Sequence, residues 1–167
     1  PAWHRQGLSN DLRLEFFAAY LGHQNRKLHE LAYLEIGRAS YRQIKHLDTN
    51  WSLEQMRSLV DNPLYVEWHA LAILMLAIRG DETDRARILD RFAAREQSGL
   101  TTNLSAWATA LIEILGEDAI TAIETNYFSV SSRSREELIE VVLALSEHGH
   151  YGHPFLRDSI VEAYSTL

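Results

Sequence analysis

Three imidazoles fall within six residues in the run His148-Gly-His150-Tyr-Gly-His153. Neutral imidazole is a good ligand for Zn, Ni or Cu. The two intervening glycines would let the backbone bring the rings together. Glu147 is the one carboxylate beside them. A plain inter-helix turn, with His148 placed favourably at a helix C-terminus, explains the same residues without an ion. We favour no metal at His148, His150 and His153, and expect no cofactor.

The aromatic residues are the second candidates. Trp51 and Trp68 flank an irregular stretch, Trp107 sits mid-helix, and Tyr65 lies between the first two. Grooves lined by Trp and Tyr are frequent binding hot spots, so Trp51, Trp68, Trp107 and Tyr65 form the candidate binding set. Packing competes with that reading, and Tyr33, Tyr41, Tyr65 and Trp68 are expected mostly in the core. Glu35 shares a face with Leu31 and Ile36. A carboxylate there is either an acid of raised pKa or half of an ion pair with Arg38, Arg42 or His69. The ion pair is the expectation, and His69 reads as a hydrogen-bonded core histidine. The run Arg79, Asp81, Glu82, Asp84, Arg85 and Arg87 reads as a solvated turn whose pairs contribute about 0–1 kcal/mol. Arg133 and Arg135 among Ser131, Ser132 and Ser134 could receive a phosphate at a helix N-terminus, but a capped loop is the simpler reading. The chain has no Gly-rich phosphate loop, His-Glu-x-x-His or Gly-x-Ser-x-Gly, which lowers the odds of an enzyme.

The elements that must position these residues are helices. Leu12, Phe16, Ala19 and Tyr20 lie on one helical face, and Leu28, Leu31, Ala32 and Ile36 on another. Tyr41 to Leu47 is a short segment. Ser52 with Gln55 makes a capping box for a helix to Val60. Pro63 opens a helix running to about Arg79, since proline fits the first turn. Further helices are expected over Thr83–Gln97, from an Asn103 cap to Leu115, over Ala119–Tyr127, from a Ser134/Glu137 capping box through Leu145, and from Pro154 onward. Most are about three turns long, too short to persist alone in water, so mutual packing must hold them.

The 167 residues suit a single domain with a substantial core. No cysteine is present, so disulfides, thiolate metal sites and Cys nucleophiles are excluded. The net charge of −7 argues against a nucleic-acid binder. The apolar stretch Ala70 to Ile78 is about half the length of a membrane span. The chain begins at Pro1 and stops at Leu167 within a helical pattern. We read it as a piece of a longer chain, cytoplasmic or, if a signal peptide precedes Pro1, periplasmic or secreted.

Gly22, Gly80, Gly116 and Gly149 each close an apolar helix, and a second helix begins shortly after each. A left-handed residue at such a point favours glycine, and hairpins of this kind stack on one another. The last two intervals fall near the length of known helical repeats. The pattern resembles HEAT or armadillo-type repeats. The segments Leu31-Ala-Tyr-Leu-Glu-Ile-Gly-Arg-Ala-Ser-Tyr41 and Leu76-Ala-Ile-Arg-Gly-Asp81 are similar to those of bacterial HEAT-like proteins of unknown function. The resemblance implies an all-α fold, a right-handed α-α superhelix of about eight to ten helices, over 1–167. It implies a non-catalytic scaffold whose partner is another protein or a peptide. The alternatives are a HEAT-fold enzyme, glycosylase-like or lyase-like, and the His-cluster metal domain.

Overall fold

The computed structural model describes residues 10–148 together with Asp158, Val161 and Tyr164. Among them are nine α-helices and no strand: α1 Asn10–Ala18, α2 Arg26–Ile36, α3 Tyr41–Lys45, α4 Leu53–Asp61, α5 His69–Arg79, α6 Glu82–Ser98, α7 Leu104–Leu115, α8 Glu117–Ile123 and α9 Arg135–Glu147. None is long and apolar enough to cross a membrane.

Two helices are apolar nearly all round and are therefore central. α5 buries every residue from Leu71 to Ala77, and α7 buries Leu104 and Trp107 through Ile112. α7 packs against α5, α6, α8 and α9, while α5 packs against α4, α6, α7 and α3. α6 has only the stripe Asp84, Ile88 and Phe92 buried, the signature of an outer helix. α9 turns Val141, Ala144 and Leu145 inward.

The capping boxes at Ser52/Gln55 and Ser134/Glu137 form as their spacing suggests. Two more appear at Ser40/Gln43 and Asp81/Asp84. Asn103, expected to cap α7, makes no side-chain cap bond. It adopts φ 55°, and its amide donates to the Val66 carbonyl at 2.7 Å, tying the start of α7 to the loop before α5.

The helix expected from Pro63 to Arg79 breaks. Pro63–Trp68 is a 3-10 segment with Tyr65 at φ −116°, ψ 27°. A tertiary contact holds the break. The Tyr33 hydroxyl donates to the Trp68 carbonyl at 2.5 Å and accepts from the Leu71 N–H at 3.0 Å, so the interrupted backbone groups stay bonded. His69 Nε2 donates to the Asn62 carbonyl at 3.0 Å, making it the core histidine expected. The helix expected over Ala119–Tyr127 ends at Ile123 and loosens into a π-turn over Glu124–Phe128. That turn buries Tyr127 beside Phe92, at 6.1 Å between ring centroids.

The charged run after α5 is solvated at Arg79, Asp81, Glu82 and Arg85, as expected, but not at Asp84. Asp84 is buried, and Arg57 of α4 reaches it with Nε at 2.7 Å and Nη2 at 2.6 Å. Asp81 caps α6 and also takes Arg57. Gly80 is not left-handed, at φ −69°. Its glycine answers to a close approach: a Cβ would strike the Leu76 carbonyl and lie 2.7 Å from Asp84 Cβ. Gly149 lies outside the described residues.

Gly116 does need its freedom. It joins α7 to α8 at φ 60°, ψ −125°, a region closed to a side chain. An added Cβ would meet nothing within 4 Å, so backbone strain is the whole cost. Gly116→Ala is expected to lose about 1–3 kcal/mol of stability, read as a lower urea midpoint at unchanged slope. An unchanged midpoint would show that this connection can relax.

Candidate functional site

The row α5, α7 and α9 forms one wall of a groove of about 470 Å³, and the opposite wall comes from the end of α2 and from α3. Ala70, Leu71 and Leu74 come from α5, Ser105, Ala106 and Thr109 from α7, and Leu143, Ala144 and Glu147 from α9. Tyr33, Gly37, Ala39, Tyr41 and Ile44 face them. The alanines keep the floor shallow, so a bound chain could approach the helix backbones. Leu143 is 53% exposed and Ile139, one turn earlier, 47%. Both present apolar surface to solvent at the α9 side.

Long-range bonds hold α3 across this row. The Tyr41 N–H donates to Glu147 Oε1 at 2.9 Å, linking residues 106 apart. The Tyr41 ring lies 4.6 Å from that of His148. Lys45 pairs with Glu113 of α7 at 2.9 Å, and burial lowers its ammonium pKa. Among the described lining residues the charged ones are Glu67 and Glu147. Glu140, one turn before Leu143, accepts from the Ser105 N–H at 3.1 Å. Carboxylates therefore mark both sides of an apolar floor.

A smaller cleft of about 230 Å³ is walled by Tyr65, Trp68, His23, His29, Arg26 and Glu30 among others. Arg26 bonds Glu30 at 2.5 Å and stands 5.8 Å above the Tyr65 ring. His29 Nδ1 accepts from the Gly22 N–H at 2.9 Å, so its neutral form carries the proton on Nε2. Burial lowers the His29 pKa, with Glu30 pulling weakly the other way.

The four aromatic candidates are not brought together. Trp51 and Trp107 are each 2% exposed and belong to the core. Trp107 is covered by the Arg95 guanidinium at 4.6 Å. Trp68 and Tyr65 are half-buried and share the small cleft, not the groove. His148, read from sequence as part of an exposed turn, is fully buried, and its Nε2 donates to the Thr109 carbonyl at 3.0 Å. The helix fold carries its ring inward on the same stripe as Val141 and Leu145. His150 and His153 lie outside the described residues. Among the described residues no three His, Asp or Glu side chains are grouped to hold a metal ion.

Glu35 is an ion-pair partner, bonded to Arg38 at 3.0 Å and to Arg13 of α1. Arg13 lies 22 residues from Glu35, beyond what local spacing indicates. Arg133 serves neighbours instead of a phosphate. It donates to the Glu96 and Asn126 carbonyls at 2.6 and 2.8 Å, pairs with Glu137 at 2.9 Å and stacks over Tyr127 at 4.5 Å.

Sequence reasoning missed the groove residues Ala70, Ala106, Leu143 and Glu67. Ala70, Ala106 and Leu143 read locally as ordinary apolar helix positions and Glu67 as an ordinary surface charge, so nothing local set them apart. No protein-family model, curated protein or solved structure matches the chain.

Proposed function

We propose that the chain is a non-catalytic module that holds a protein or peptide segment in the groove between α3 and the α5–α7–α9 row. In this reading α4–α5 and α6–α7 are antiparallel pairs stacked in the HEAT-like manner, as a right-handed superhelix, and α9 continues the row by lying against α7. The contacts of α7 with both α5 and α9 support it. Stacked pairs supply an extended surface suited to a chain-like ligand. The clasp of α3 onto α9 adds a wall that a plain repeat array lacks.

The observation that carries the reading is the groove floor itself. Alanines on two neighbouring helices face open space, flanked by exposed Leu143 and Ile139. This apolar concavity is where the reading seats the partner. Two observations weigh against alternatives: His148 of the metal-domain reading is spent on a backbone carbonyl, and carboxylates at the groove would repel the phosphate backbone that a glycosylase binds.

Displayed random peptides selected on the chain test the proposal. Ala70 is exposed, so Ala70→Trp can fill the groove without disturbing the core. Selected peptides are expected to lose at least tenfold in affinity for Ala70→Trp, and to bind a Leu64→Ser control like the parent. Equal binding to Ala70→Trp would dismiss the groove as the docking site.

A further inference from the structure

We infer that the groove takes a cationic amphipathic segment, apolar along one face and carrying Lys or Arg along its margins. This rests on the reading of the groove as a docking site and names the chemistry of its occupant. Charge complementarity is the argument. Glu67 stands at the α5 side, and Glu140 and Glu147 stand on α9 at positions three residues before and four after Leu143. None of the described lining residues is Lys, Arg or His.

The three carboxylates keep capacity for a ligand. Glu67 accepts from the Trp68 indole at 3.0 Å, Glu140 from the Ser105 N–H, and Glu147 from the Tyr41 N–H. An ionised carboxylate offers about four acceptor positions, so each can also receive an ammonium or guanidinium. The existing bonds hold the groups in place, which lowers the ordering cost of binding. The whole chain, at net charge −7, adds a long-range attraction for cations. The same net charge opposes a second copy of this chain as the occupant.

Two designed peptides test the inference: an amphipathic Leu/Lys helix of about 18 residues, roughly 27 Å long, and the same peptide with every Lys changed to Glu. Binding is measured by fluorescence anisotropy to the whole chain, to Ala70→Trp and to the triple variant Glu67→Gln/Glu140→Gln/Glu147→Gln. Glutamine oxygens can still accept from Tyr41 and Ser105, and thermal melts verify that the triple variant folds. The Lys peptide is expected to bind at least tenfold tighter than the Glu peptide, to lose about tenfold on the triple variant, and to bind Ala70→Trp negligibly. Its affinity should fall as salt rises from about 0.05 to 0.5 M.

Equal binding of the two peptides, both blocked by Ala70→Trp, would overturn the inference while leaving the groove a docking site. Lys-peptide binding that survives Ala70→Trp would reduce it to attraction by the acidic surface, and overturn it. Failure of both peptides, with peptides selected by display also indifferent to Ala70→Trp, would sink the docking reading as well. A dimer in sedimentation that Ala70→Trp dissolves would overturn it in favour of self-assembly.

Discussion

Trp107→Ala is expected to cost about 3–5 kcal/mol, the top of the range for truncating a core side chain. Domains of this kind hold about 5–15 kcal/mol in all, so the variant would be near unfolding at 37 °C. The reason is position. Trp107 is among the largest fully buried side chains, and its helix α7 touches four other helices. Removing the ring opens a cavity between α6 and α7 that their backbones cannot close. It also strips the Arg95 guanidinium of its stacking partner. Urea unfolding followed by circular dichroism reads the loss. Trp107→Phe separates volume from hydrogen bonding. The indole Nε1 has no hydrogen-bond partner among the described groups, so phenylalanine strands no acceptor and should cost about 1–2 kcal/mol. A Trp107→Ala loss below about 1 kcal/mol would refute the central place of α7.

Arg57→Met is expected to destabilise the chain more than Asp84→Asn, although it removes the more exposed partner. Arg57 is a surface guanidinium that can return to water, whereas Asp84 has a side chain only 4% exposed. Without Arg57 the carboxylate stays buried with no countercharge and only the Asp81 N–H to support it, the costly way to break such a pair. Asp84→Asn loses charge-assisted bonds worth about 2 kcal/mol but leaves no buried charge. Adding Asp84→Asn to Arg57→Met should therefore restore part of the stability. A double variant no better than Arg57→Met alone would refute the account.

The same pair predicts a pH dependence. The Arg57 hydrogen bonds hold the Asp84 carboxyl below its usual range, outweighing burial, which pushes it up. A carboxyl depressed in the folded state contributes stability above its unfolded pKa, about 3.9, and loses it as pH falls through the folded value. The stability gap between the natural chain and Asp84→Asn should thus be constant above about pH 5 and narrow below about pH 4. Glu137 behaves likewise: burial pushes it up, but bonds from Ser134 and Arg133 bring it net below its usual value. It is present in both proteins, so its acid loss cancels in the comparison. A gap that persists unchanged to pH 3 would contradict the depressed Asp84.

The helices were legible because their signals are local. Ser52 with Gln55 and Ser134 with Glu137 cap their own first turns, three residues away, whatever lies around them. The stretch from Leu71 to Ala77 is apolar on every face, and the structure buries all of it, since no face of such a helix can be left in water. His69 and Glu35 read correctly as structural residues because a buried polar group needs a partner. The partner itself was harder: Arg38 lies one turn from Glu35, but Arg13 lies on another helix.

What misled was always distant in sequence. Nothing local in Pro63–Arg79 announces a break at Trp68; Tyr33, on α2, makes it by bonding both sides of the interruption. Asp84 looked solvated until Arg57, 27 residues earlier, was laid against it. Asn103 has the residue type of a cap, but Val66 offered its amide a better acceptor.

Composition, spacing and caps by themselves determined that this chain is helical and where most helices begin. Each of those facts follows from hydrogen bonds within four residues or from apolar surface along one helix. Only the tertiary structure decided which Trp residues were buried, that His148 turns inward, and that Ala70, Ala106, Leu143 and three glutamates border one groove. Those depend on how helices lie against one another, through contacts between residues tens of positions apart, and no single segment encodes them.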